Sequence, residues 1–253
     1  MDSTKELSVL SLCSGYGGLE RGLDLAGVNH KVATYVEIEA YVIANLISKM
    51  ESRRLVAAPV FTDVKSFPSR LFRGKVDIIT GGYPCQPFSV AGRGAGESDP
   101  RHLWPYILEH VKAIRPFRVF FENVTGHINN GLETVINDLG AAGYRATWGI
   151  FSAAEVGARH QRERVFIMAD SESERVQGLW RSRQQESHSH VQQVLPVCES
   201  ERPFQADWKT EPRVDRVVDG CPNRVDRIRM LGNGVVPQTA CRAWQVLSKR
   251  LEA

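Results

Sequence analysis

Cys85 stands between Pro84 and Pro87 in VDIITGGYPCQPFS, just past an apolar run. An ionised thiol is a strong nucleophile, and the flanking prolines fix the backbone and remove donors, so the thiol is presented in one direction. FRVFFENV delivers Glu122 and Asn123 in the same way. A carboxyl at the end of such a run is costly to bury unless it is paired or protonated. Arg159, His160, Arg162 and Arg164 precede another apolar run, VFIMA, and alternating arginines entering a strand point inward together. The first apolar run leads into Ser14-Gly15-Tyr16-Gly17-Gly18, where glycines allow a tight turn and close approach to a ligand. Glu37 follows 20 residues after Gly17, where an acid can accept from ribose hydroxyls, and Asp63 ends the next apolar stretch, placed to accept from an adenine amino group. Loop and acid together point to a nucleoside cofactor without separating NAD from S-adenosylmethionine; the presented thiol makes that separation.

These residues need a scaffold that brings run-ends together. LSVLSLCS, KVATYVEI, VDIITGG, FRVFFENV and RVFIMA read as strands, with VFT a short one. GLERGLDLAG, EAYVIANLISKM, LWPYILEHVKAI and GLETVINDLGAAG show helical spacing between them. Alternation of this kind predicts an α/β fold with a parallel, doubly wound sheet, whose ligands sit beyond the carboxyl ends of the strands. AGRGAGESDPRH is glycine-rich, as a closing lid would be. Residues 1–169 read as the core, 170–210 as a polar segment low in aliphatics, and 211–253 as a segment returning to the core and ending in an amphipathic helix.

The 253 residues (28.3 kDa, 42% apolar, 24% charged) are ordinary globular composition and enough for a large core. MDSTKELSVLSLCSGYGG lacks the layout of a signal peptide, and no apolar run approaches a membrane span, so a cytoplasmic protein is expected. Cys13, Cys85, Cys198, Cys221 and Cys241 are scattered, without metal-knuckle spacing, and no metal is expected. Lys/Arg and Asp/Glu balance at 16 each over residues 1–156, but residues 157–250 carry 16 against 12, nearly all arginine, which hints at a polyanion partner.

PCQPFS, FFENV, the RHQRER segment and LGNGVVP, in this order after a GxGG loop, resemble the DNA cytosine-5 methyltransferase family of bacteria and phages. The resemblance covers residues 7–169 and about 208–245. It implies a Rossmann-like S-adenosylmethionine-dependent sheet with helices on both faces, and methyl transfer to C5 of a cytosine flipped out of duplex DNA. Cys85 would then add to C6 of the base, which makes C5 able to attack the methyl group. Glu122 would bind N3 and the exocyclic amine in protonated or proton-sharing form. Arg164 and Arg162 would contact the base and orient Glu122 or the thiolate, and Asn123 would hold the Cys85 loop. The cofactor pocket would comprise Ser14, Gly15, Tyr16, Gly17, Gly18, Glu37, Ile38, Asp63, Pro84, Asn233 and Val235. Gln86, Ser89, Arg93, Arg101, Arg181 and Arg183 would meet DNA, with Ser89–Arg101 closing on it. A cognate restriction endonuclease, a monomeric state and the cytoplasm of a bacterial or phage-infected cell complete what the resemblance implies.

The chain departs from the family pattern at four places. Cys13 replaces an aromatic residue that would contact adenine, so either cofactor affinity is weaker or Tyr16 compensates; Ile38 supplies only apolar packing after Glu37. Arg159-His160-Gln161 replaces a Pro-Gln sequence, so Gln161 is given no family role. Gly234 stands where Ala or Ser is usual. The family inserts a sizeable recognition module before the GN motif; here the polar segment, with Arg175, Arg181, Arg183, Gln184, Gln185, His188 and His190, is the candidate groove reader, against a solvated linker. Two alternatives stand beside the main reading. A tRNA cytosine-5 methyltransferase of the same fold is disfavoured by the lack of a Cys-Phe-Thr sequence in the middle region. A non-catalytic DNA-binding relative is disfavoured by the intact Cys85, Glu122, Arg162 and Arg164.

Overall fold

The computed structural model describes residues 6–84, 103–173 and 232–253. Their seven strands are β1 (Leu7–Leu12), β2 (His30–Val36), β3 (Val60–Phe61), β4 (Ile78–Gly81), β5 (Arg118–Val124), β6 (Tyr144–Phe151) and β7 (Arg164–Ser171). They form one sheet in the order β3-β2-β1-β4-β5-β7-β6. β3, β2, β1, β4 and β5 run parallel, and the chain reverses its winding direction between β1 and β4, which opens a crevice there at the carboxyl ends.

Among the described residues five helices cover the two faces: α1 (Gly18–Leu25), α2 (Ala40–Glu51), α3 (Trp104–Ile114), α4 (Leu132–Ala141) and α5 (Pro237–Glu252). Trp104, Ile107 and Val111 of α3 pack with Leu132, Val135 and Leu139 of α4 on one face, over Leu10, Ile79, Val119 and Phe121. Leu19 and Leu23 of α1, with Ala240, Trp244 and Leu247 of α5, cover Val9, Ile78, Phe120 and Phe166 on the other. Strands covered twice must be apolar almost throughout, which is why IITG and RVFF read as continuous runs rather than alternating ones. α1 and α5 approach closely because Gly18 and Gly22 face the incoming chain: a Cβ on Gly22 would lie 2.6 Å from Ala240 Cβ, and one on Gly18 would lie 2.6 Å from the Val235 carbonyl.

Two features differ from the parallel sheet expected from the sequence. YRATWGIF forms β6, a strand the apolar pattern did not disclose because its outer residues Trp148 and Ile150 stay partly exposed at the sheet edge. β7 then runs antiparallel to both β5 and β6. No helix intervenes between β6 and β7 beyond a single turn at Ala154–Val156, and without a crossover the chain must return in the opposite direction. The reversal has a chemical consequence: the start of β7, not its end, lies beside the carboxyl ends of its neighbours.

Candidate active site

The carboxyl ends of the parallel strands and the start of β7 meet at the crevice. β1 ends in the Ser14–Gly18 turn, where Gly15 (φ 55°) and Gly17 (φ 81°) adopt left-handed conformations that glycine takes without strain. Ser14 ties this turn to β2, donating from Oγ to the carbonyls of Ser11 and Val36 and accepting from the Val36 amide. Glu37, buried after β2, accepts from the amides of Gly15 (2.9 Å), Ile38 (2.9 Å) and Glu39 (3.0 Å). It therefore sets the position of the glycine turn. Ile38 beside it is 70% exposed, an apolar surface facing outward at the crevice edge. Asp63 lies at the end of the adjoining β3 segment and accepts from the Lys65 amide at 2.9 Å, capping its own turn. Cys13, also at positive φ, packs against the core, and burial with the nearby Glu37 carboxylate pushes its thiol up to about 12, which keeps it protonated and inert.

β5 delivers Glu122, only 6% exposed. Because β7 is antiparallel, Arg164 opens that strand opposite Val124 and reaches diagonally across to Glu122, with Nε 3.0 Å from Oε1. The contact is an ion pair off the hydrogen-bond axis, so Oε1 remains buried without a hydrogen bond. Burial raises the Glu122 pKa to about 7, against the opposing pull of the Arg164 and Arg162 guanidinium groups. At neutral pH this carboxyl is shared between its acid and its base. Arg162, at φ 39°, points elsewhere: its Nη2 donates to the carbonyls of Gly232 and Gly234. It fastens the C-terminal segment rather than pairing with Glu122.

Asn123 donates from Nδ2 to the Tyr83 carbonyl at 3.2 Å while its Oδ1 accepts from the Val124 amide. The Tyr83 side chain is buried against Trp104 and Phe121, and its hydroxyl lies 3.2 Å from His127 Nε2. Burial lowers the His127 pKa to about 4, so the ring is neutral and can accept that hydroxyl. Tyr83 and Asn123 thus lock the backbone entering Pro84, the last described residue before Cys85. Cys85, Gln86, Ser89, Arg93 and Arg101, and the polar-segment residues Arg175, Arg181, Arg183, Gln184, Gln185, His188 and His190, lie outside the described residues.

The C-terminal segment crosses the same crevice. Asn233 is exposed and Val235 buried beside Gly82 and Gly18. The Tyr16 hydroxyl donates to the Val235 carbonyl, and Lys49 of α2 donates to the Tyr16 carbonyl at 2.7 Å with its ammonium 4.8 Å over the Tyr16 ring. Lys49, His127 and Tyr83 were not singled out from the sequence; each sits inside an amphipathic or apolar stretch where packing alone accounts for it. Among the described residues no group of three or more His, Cys, Asp or Glu side chains could hold a metal.

A glycine turn tied to an acid after β2, at the switch point of a sheet of this order, belongs to a Rossmann-like α/β fold, the arrangement that takes a nucleoside cofactor. The model of the C-5 cytosine-specific DNA methylase family matches residues 7–215, and the chain belongs to that family. The Type II methyltransferase M.NgoMIV of Neisseria gonorrhoeae is 30% identical over 168 residues, 65% of this chain and 52% of that protein. The Type II methyltransferase M.CviJI of Paramecium bursaria Chlorella virus IL3A is 34% identical over 163 residues, 63% of this chain and 42% of the relative. The chain thus spans about half the length of these relatives, or less. The Dnmt2 methyltransferase of S. pombe shares the fold, with a TM-score of 0.56 at 24% identity over 67% of this chain and 52% of that structure.

Proposed function

We propose that the protein methylates C5 of a cytosine flipped out of duplex DNA, with S-adenosylmethionine as methyl donor and Cys85 as nucleophile. The observation that carries this reading is Glu122: a buried carboxyl of pKa about 7, paired with Arg164, with one oxygen lacking a hydrogen bond, on β5 beside β4, the strand that leads into Pro84-Cys85. A cytosine presents a donor amine and a ring nitrogen side by side, the pattern that a half-protonated carboxyl matches. The cofactor suits the crevice. The left-handed Gly15 has open space where a side chain would stand, Glu37 is an acceptor beside it, and Ile38 offers apolar surface. Ser14, Gly15, Gly17, Gly18, Glu37, Ile38 and Asp63, with Asn233 and Val235 across the crevice, would hold it, and the bound cofactor would supply an electrophilic methyl group.

Cytosine C5 is a weak nucleophile until C6 is attacked. The Cys85 thiolate forms an Sγ–C6 bond while the proton on Glu122 meets N3, so the electron pair displaced onto the ring is neutralised as it develops. C5 would then attack the methyl carbon, and the pair of the broken S–CH3 bond would stay on the donor sulfur as a neutral thioether. Loss of the C5 proton to a base expels the thiolate and breaks Sγ–C6, and return of the N3 proton to the Glu122 carboxylate restores the neutral aromatic ring. Arg164 holds Glu122 in place and limits how far burial raises its pKa. Asn123 and Tyr83 fix the backbone that presents Cys85. The base must leave the helix, because C6 cannot be reached inside a stacked duplex.

Duplex DNA carrying 5-fluorocytosine tests the reading, since fluorine at C5 cannot depart as a proton does. A covalent protein–DNA complex is expected with the cofactor present, and none with Cys85→Ser. Trapping on tRNA but not on DNA would replace the substrate assignment, and trapping by Cys85→Ser would contradict the nucleophile.

A further inference from the structure

Tyr16 and Gly234 occupy each other's space. A Cβ on Gly234 would lie 1.6 Å from Tyr16 Cε1 and 2.5 Å from Cζ, so no residue but glycine fits at 234 while the Tyr16 ring is where it is. The ring is held there from both sides. Its hydroxyl donates to the carbonyl of Val235, the next residue, and Lys49 grips it through the Tyr16 carbonyl and the ring face. Arg162 binds the same short segment from the other direction, through the carbonyls of Gly232 and Gly234. Two elements distant in sequence, the Tyr16 turn and the Arg162 turn, therefore converge on four residues of backbone, and a third, α2, braces the first through Lys49. These four include Asn233 and Val235, which the proposed function places against the cofactor.

We infer that Tyr16 is a positioning residue that clasps the Gly232–Val235 segment across the cofactor crevice, and that Gly234 is its required counterpart. The glycine turn carries the clasp, so a ligand that orders the turn also orders the segment that closes over it. Tyr16 acts through Val235 and Asn233. The inference about cofactor affinity rests on the reading of the crevice as an S-adenosylmethionine site; the clasp itself does not.

Two measurements separate these. Amide hydrogen exchange across residues 232–240 of the unliganded protein reads the clasp alone: Tyr16→Phe, which keeps the ring and removes one hydrogen bond, is expected to speed exchange there by about two- to tenfold. Calorimetric titration with S-adenosylmethionine reads its effect. Tyr16→Phe should weaken binding by a similar factor and raise KM for the cofactor while leaving kcat nearly unchanged. Gly234→Ala should weaken binding far more in the wild-type background than in Tyr16→Ala, where the ring is gone. Unchanged exchange in Tyr16→Phe, or an equal cost of Gly234→Ala in both backgrounds, would overturn the inference. Wild-type protein that does not bind S-adenosylmethionine would remove the cofactor assignment, and the exchange result would still decide the clasp.

Discussion

Glu122 is the residue on which pH should act. Its carboxyl has a folded pKa of about 7 against an ordinary value of 4.5. A group raised in this way adds stability that is complete below its unfolded pKa and is lost as pH rises through the folded one. Between pH 4.5 and 7 the wild type should therefore lose on the order of 3 kcal/mol relative to Glu122→Gln, measured by paired denaturant titrations, because a raised pKa converts to stability at ~1.4 kcal/mol per unit. Identical pH dependence in the two proteins would contradict the assignment. Methyl transfer that uses the protonated form should decline above pH 7, and Arg164→Gln, which removes a charge that lowers the pKa, should move that decline to higher pH. The sequence disclosed Glu122 because a carboxyl ending an apolar run needs an explanation. It did not separate the roles of Arg162 and Arg164: they are two residues apart in one motif, and only the left-handed turn at Arg162 sends one guanidinium to the C-terminal segment and the other to Glu122.

At the scale of elements, the close α1–α5 contact makes an asymmetric prediction for two glycines. Gly22→Ala would press a methyl into Ala240 and the Pro237 carbonyl and should destabilise by about 1–3 kcal/mol in chemical denaturation, the usual cost of overpacking. Gly140→Ala on the exposed side of α4 meets nothing within 4 Å and should stabilise by roughly 0.5 kcal/mol, because alanine is the better helix former. Equal signs would mean that the α1–α5 approach is looser than described. Asn123→Ala would release the Tyr83 carbonyl and should lower kcat with little change in cofactor affinity, since it touches the backbone entering Pro84-Cys85 and not the glycine turn. Parallel strands and their helices were legible because each is an apolar run of one period. β6 was not, because an edge strand with Trp148 and Ile150 half exposed lacks a clear inner face, and strand direction is set by connection geometry that composition does not record.

The described residues are organised around a sheet that collects groups from distant parts of the chain at one edge. Ser14, Glu37, Glu122, Arg164 and Val235 are far apart in sequence and meet only because winding reverses between β1 and β4 and β7 runs backward. The motifs disclosed the participants, whereas the Tyr16–Gly234 fit and the Lys49 grip depend on three-dimensional proximity alone. If the crevice takes S-adenosylmethionine, ligand at a hundredfold excess over its Kd should stabilise the fold by about 2.7 kcal/mol. Glu37→Ala, which frees the Gly15 amide, should abolish most of that gain, as a thermal shift without any methyl acceptor would record.

The central claim is methyl transfer to DNA cytosine through Cys85, and the most direct measurement is transfer of label from tritiated S-adenosylmethionine to duplex DNA and to tRNA, with Cys85→Ser in parallel. Label is expected on duplex DNA, located at cytosine C5 by bisulfite sequencing, with none on tRNA and none from Cys85→Ser. Label on DNA from Cys85→Ser, or label on tRNA alone, would contradict the claim.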